Sequence, residues 1–234
     1  MYPHPITKLI APCSLALGAL VCSHVQAQTA LFEWGINRDG VITGLGDALP
    51  PGSVFDTSTG LGTVRMVFST PGAHQGILFV DHELSEALNT FFNELGAVTG
   101  SPSAGQTWEI DEPGFSADPG DIFDNFLAGT LDNGIGKSDE DDVSMAIGYD
   151  FVLTPGQTGT INFLLSPNQP NGGFYLTHSD PDSGESIYFS SSLRIDGGNV
   201  VVPEGQTVLA GGLITLLAAL GVWRNRRNQP KANA

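Results

Sequence analysis

The sequence predicts an all-β fold: a β-sandwich, jelly-roll-like or immunoglobulin-like, set between an N-terminal signal peptide and a C-terminal transmembrane helix. Three observations point there. Apolar residues alternate with polar or small ones in several short segments, the period of a strand with one buried face. Thirty glycines and fifteen prolines, with Ser, Thr and Asn, punctuate those segments. The uncharged apolar runs long enough to concern a membrane stand at the two ends of the chain.

Residues 1–27 have the layout of an export signal. Lys8 is the positive region, Leu9 to Val21 the apolar core, and Val25-Gln26-Ala27 the small residues before a cleavage between Ala27 and Gln28. Both cysteines, Cys13 and Cys22, fall inside it, so the mature chain is expected to be free of disulfides and thiol chemistry. Residues 28–202 form the acidic domain. All 25 Asp and Glu lie between Gln28 and Glu204, against Arg38, Arg65, Lys137 and Arg194 alone. Such a surface repels nucleic-acid phosphates and attracts divalent cations, which excludes a nucleic-acid role.

Within that domain, Val64 to Ser69 and Ile77 to Asp81 read as strands. "DVSMAIGYDFVL" alternates Met145, Ile147, Tyr149, Phe151 and Leu153 with small or polar residues, and Ile161, Phe163 and Leu165 resume the pattern after "TPGQ". The Pro-Gly between them reads as a hairpin turn. Phe174 to His178 and Ile187 to Ile195 continue in the same style. In "ELSEALNTFFNELG", Leu84, Leu88, Phe91 and Leu95 have helical spacing and Gly96 a C-cap position, predicting a short helix or turn between the sheets.

Residues 203–234 close the chain. Gly205 to Trp223 is 19 residues without a charge, enough helix to cross a hydrocarbon core of about 30 Å. Arg224, Arg226 and Arg227 follow and are expected to stay cytoplasmic. The Val202-Pro203-Glu204 tripeptide, the Gly/Ala/Leu-rich span and the arginine cluster together resemble the PEP-CTERM sorting signal of exported Gram-negative bacterial proteins. Gly205 departs from that pattern, where a second proline is usual. The resemblance implies recognition by exosortase, a transpeptidase-like membrane enzyme, with the helix as a transient handle in the inner membrane. The stretches "DHE", "WEIDEPGF", "GDIF" and "DPDSGESIYFSSSLRI" also resemble domains found ahead of such tails, which have no established activity.

Three constellations can carry chemistry. Glu109, Asp111 and Glu112 stand beside Trp108 and Phe115, the paired acids and aromatic platform of a glycosidase, with Glu109 and Asp111 on one strand face. The plainer expectation is an exposed acidic edge leading into a Pro-Gly turn. Asp81, His82, Glu83 and Glu86 are read as a strand end entering solvent, because a transition-metal site wants more imidazoles in ligand spacing. Calcium is the stronger idea. Asp180, Asp182 and Glu185, with Gly184, form a short acidic loop that can supply oxygen ligands. Asp118, Asp121 and Asp124, and the run from Ser138 to Asp142, are further acidic loops. No Ser-His-Asp signature, phosphate loop or nucleotide fingerprint appears. The sequence therefore predicts a non-enzymatic cell-surface or matrix protein, exported through the inner membrane and associated with calcium; an association with exopolysaccharide is what the resemblance implies. The alternative is a carbohydrate-active enzyme using Glu109, Asp111 and Glu112.

Overall fold

The computed structural model describes residues 29–85, 90–114, 120–136 and 139–198. The expected signal peptide with its Ala27–Gln28 junction, the Val202-Pro203-Glu204 motif, the 205–223 helix and Arg224, Arg226 and Arg227 lie outside them. No helix among the described residues is long and apolar enough to cross a membrane.

The described strands form two six-stranded sheets. The first runs in the order β2 (Val41–Gly44), β1 (Thr29–Arg38), β5 (Gly72–Leu84), β9 (Ser144–Leu153), β7 (Gln106–Asp111), β8 (Gly134–Ile135). It is antiparallel except for the β7–β8 pair. The second, antiparallel throughout, runs β3 (Val54–Asp56), β4 (Leu61–Phe68), β10 (Gln157–Ser166), β12 (Ser186–Gly197), β11 (Tyr175–Ser179), β6 (Leu95–Thr99). The alternation seen in the sequence becomes the core between them. Met145, Ile147, Tyr149, Phe151 and Leu153 of β9 face Val64, Met66, Ile161, Phe163 and Phe189 of the second sheet. This is an all-β sandwich.

Two local expectations are corrected. The turn at Thr154 to Gln157 does not make a hairpin: β9 belongs to the first sheet and β10 to the second, so the turn is an arch across the core. Both edges of β9 are taken by β5 and β7, and the arch lets the two apolar faces meet rather than lie side by side. Gly159 permits that approach, since a Cβ there would sit 2.6 Å from the Phe151 ring. The helical spacing of Leu84 to Gly96 is also overridden. Leu84 ends β5, Leu95 and Gly96 open β6, and a single 3-10 turn, Phe91–Asn93, is the helix among the described residues of the crossing. Residues 86–89 lie outside the description. Strand pairing at both ends of the segment outweighs the weak preference of a short helix.

A helix the sequence reading did not foresee is α1 (Ile122–Ala128), which places Asp124 on its first turn rather than in a loop. Ile122 and Phe126 cover Ile77, Phe79 and Ala146 on the outer face of the first sheet, with Leu131. Phe126 stacks on Phe79 with ring centroids 5.5 Å apart. It reaches the sheet because Gly35 has no side chain; a Cβ there would lie 2.5 Å from the ring. Strand β5 is consequently apolar on both faces, and the helix turns an outer sheet face into an interior.

Candidate functional site

Two groups of buried polar residues stand out. The first lies on the outer face of the first sheet, beside α1. In β7, Trp108 and Ile110 enter the core, so Glu109 and Asp111 point the other way, as their spacing predicted. They line a cavity of about 260 Å³ with Asp121, Asp132, Gly134, Ile135 and Gly136. Glu109 accepts hydrogen bonds from Asn125 Nδ2 and from the Asp132 amide, each at 3.0 Å. Asp111 accepts from the Asp121 amide at 3.2 Å. Burial pushes the Glu109 carboxyl up to about 7, and the charges of Asp132 and Asp121 add to that rise. Burial raises Asp111 too.

The exposed acidic edge is thus overturned: Glu109, Asp111 and Glu112 are all buried. The reason is that β7 is not an edge strand, because β8 pairs beyond it and Asn125 of α1 reaches Glu109 on its outer face. Among the described residues, Glu109, Asp121 and Asp132 are the one group of three His, Cys, Asp or Glu side chains with ligand atoms all within 4.8 Å of one another. They can hold a hard divalent cation. They suit a sugar ring less well. The cavity is smaller than the usual ligand pocket of about 300–1,000 Å³. Trp108 packs inward against Phe174 instead of offering a platform, and Phe115 lies outside the description.

The second group closes one end of the sandwich from inside. His82 of β5 and His178 of β11 are both fully buried, and so is Glu94. Glu94 Oε1 accepts the Leu84 amide at 2.9 Å, and Oε2 lies 2.6 Å from His178 Nε2. Burial pushes Glu94 up to about 8 and His178 down to about 3. The pair is therefore neutral near pH 7, with the Glu94 hydroxyl donating to Nε2, rather than an ion pair. His82 is held at about 3 by burial and by neighbouring His178, and its Nε2 faces the Gly60 carbonyl at 3.2 Å. Asp81, 1 % exposed, accepts from Ser144 Oγ at 2.9 Å and is raised by burial and by Asp142. The expectation of a strand end entering solvent is overturned for Asp81 and His82. Strand β1 on one side, β9 on the other and the turn at Gly60 enclose them. Glu86 lies outside the description.

The expected calcium loop joins β11 to β12. Asp180 is 1 % exposed and organises the loop: its Oδ1 accepts from the amides of Asp182 (2.8 Å) and Ser183 (3.2 Å) and from Asn93 Nδ2 (3.1 Å). Asp182 shares the Asn93 amide, while Glu185 Oε2 accepts from Ser85 Oγ at 2.8 Å. Asp118 and Ser138 lie outside the description, and Asp141 pairs by its backbone with Glu94. Asn93, Glu94, Asn125 and Asp132 were not singled out from the sequence. Asn93 and Glu94 lie in the segment whose spacing predicted a helix, and only the fold brings all four residues to these sites.

No protein-family model, no curated protein and no solved structure matches this chain.

Proposed function

We propose that this is an exported, non-enzymatic cell-surface or matrix protein, sorted by its C-terminal tail, whose sandwich serves as a structural and binding module associated with exopolysaccharide and calcium. One observation carries the non-enzymatic part. Glu109 and Asp111, the acids a glycosidase would use, are engaged in holding Asn125, Asp121 and Asp132 to the sheet. The register of the strands fits the sorting part. Gly197 pairs with Gln157, so the chain leaves the sandwich at the end opposite Leu84, and an anchored tail would hold the acidic end away from the membrane. We read the sandwich as jelly-roll-like, since the twelve strands among the described residues exceed the roughly seven to nine of an immunoglobulin domain.

Intact-mass analysis of protein released from the cell surface tests this. The expected species begins near Gln28 and ends near Pro203 and Glu204. Protein still carrying Arg224 to Arg227 would show a permanent anchor instead. The second reading, a carbohydrate-active enzyme, is favoured by one feature only: a glutamate pushed up to about 7 in the same cavity as Asp111. Release of sugar from exopolysaccharide by the wild-type chain, abolished in Glu109→Gln, would replace the first reading by the second.

A further inference from the structure

Asn93 joins the one-turn helix to the loop between β11 and β12, and its side chain is in an unusual position. The residue is 9 % exposed. Its amide nitrogen donates to Asp180 Oδ1 at 3.1 Å and to Asp182 Oδ2 at 3.2 Å, so the amide is aimed into the gap between two carboxylates. Its oxygen is buried and accepts no hydrogen bond among the described residues. A buried carbonyl oxygen without a donor is unfavourable and calls for an explanation. An amide is nearly symmetric in shape, so a half-turn about its last torsion exchanges nitrogen for oxygen without displacing a neighbour. The Asn93 oxygen then faces Asp180 Oδ1 and Asp182 Oδ2 from the place of the nitrogen, and a cation is what reconciles three oxygens so placed.

We propose that Asn93, Asp180 and Asp182 form a calcium site, in which the Asn93 carbonyl turns inward as the ion enters. Without the ion, the amide hydrogens of Asn93 stand in for its positive charge. All the donors are oxygens, which favours a hard cation over a transition metal. Calcium takes six to eight such ligands in loose geometry, and this loop can add backbone carbonyls and water. Gly184, at φ 75°, makes the tight turn that brings the loop back to Asp180, whose carbonyl accepts the Gly184 amide at 2.8 Å. Glu185, held by Ser85, supplies further negative charge alongside. Glu109, Asp121 and Asp132 are the alternative cation site, and the Asp132→Asn variant below tells the two apart. The proposal rests on the calcium part of the proposed function and does not depend on the sorting of the tail.

The test uses the full-length chain in detergent, freed of metal with a chelator and titrated with calcium chloride, with melting midpoint and calorimetric affinity as readouts. Calcium is expected to raise the midpoint by several degrees beyond sodium chloride at matched ionic strength, and beyond magnesium. Affinity should fall by about ten- to hundredfold in Asp182→Asn and in Asn93→Leu. Asn93→Asp separates the two roles of this side chain. As an oxygen ligand it should keep or tighten calcium binding, while melting lower than wild type in the chelator, where three carboxylates repel. Should Asn93→Leu fail to fold, Asn93→Asp and Asp182→Asn decide alone. Four results overturn the proposal: no shift beyond salt or magnesium, a shift intact in Asp182→Asn, loss of binding in Asn93→Asp, or a shift abolished instead by Asp132→Asn. Tail processing is read separately by intact mass, so failure here leaves the sorting proposal standing.

Discussion

Glu109 and Glu94 are both buried glutamates whose carboxyls are pushed well above the ordinary value of 4.5, yet they are built into the fold differently. Glu109 lies on the outer face of a sheet, against a water-accessible cavity, and two donors from α1 and the following turn face its two oxygens. Glu94 lies inside the end of the sandwich, where the Leu84 and Val143 amides face its carboxyl and a further partner is an imidazole that must itself remain uncharged. The first carboxylate can ionise at modest expense because amides and water answer the charge. The second can do so only by burying a net charge between two sheets, which is far less favourable. Equal burial does not make equal sites; what faces the oxygens decides.

The largest effect should come from breaking the inner pair. Glu94→Ala leaves the Leu84 amide and His178 Nε2 without their partner, at roughly 1–3 kcal/mol for each buried group. Glu94→Gln keeps a donor and an acceptor there and should cost less than half as much. Chemical denaturation of both variants checks this. Similar losses in the two would mean that packing, and not hydrogen bonding, holds that end together.

The pH dependence of stability, measured in chelator, separates the groups further. Glu94 and Glu109 are raised in the folded state, so each contributes stability that is complete below about 4.5. It is lost as pH rises towards about 8 for Glu94 and about 7 for Glu109. His82 and His178 are lowered, so theirs is complete above about 6.5 and lost as pH falls towards about 3. Stability should therefore peak between about pH 4.5 and 6.5 and decline on both sides. Glu94→Gln should flatten the alkaline decline up to about pH 8, and Glu109→Gln only its part below about pH 7. A midpoint that is higher at pH 8 than at pH 6 in the wild type would contradict both assignments.

The smallest effect concerns the outer cavity. Asp121→Asn removes one of the charges that raise Glu109 while leaving the Asp121 amide on Asp111. Overall stability should change by no more than about 0.5 kcal/mol, as for an exposed position. The Glu109 titration, followed by carboxyl-carbon NMR, should move down. An unmoved titration would leave burial and the Asp132 charge as the causes of the rise and take Asp121 out of that shared field.

Strands with one buried face were legible from the sequence, because alternation depends on residue order alone: β4, β9, β10, β11 and β12 all fall where Val64, Met145, Ile161, Phe174 and Ile187 placed them. The shared outer face of Glu109 and Asp111 was legible for the same reason. The excess of acid was also there to be read. Which sheet each strand joins was not, since pairing is settled between distant residues; the Thr154 to Gln157 turn looks the same as a hairpin or as an arch. Burial of the polar residues was not legible either. Asp81, His82 and Glu109 are hidden by elements far away in the chain, and no local pattern announces a cover. Composition and periodicity are local properties that the chain carries with it unfolded. The environment of a carboxylate is made by its neighbours in space, and only the folded packing of β5, β7, β9, β11 and α1 supplied those.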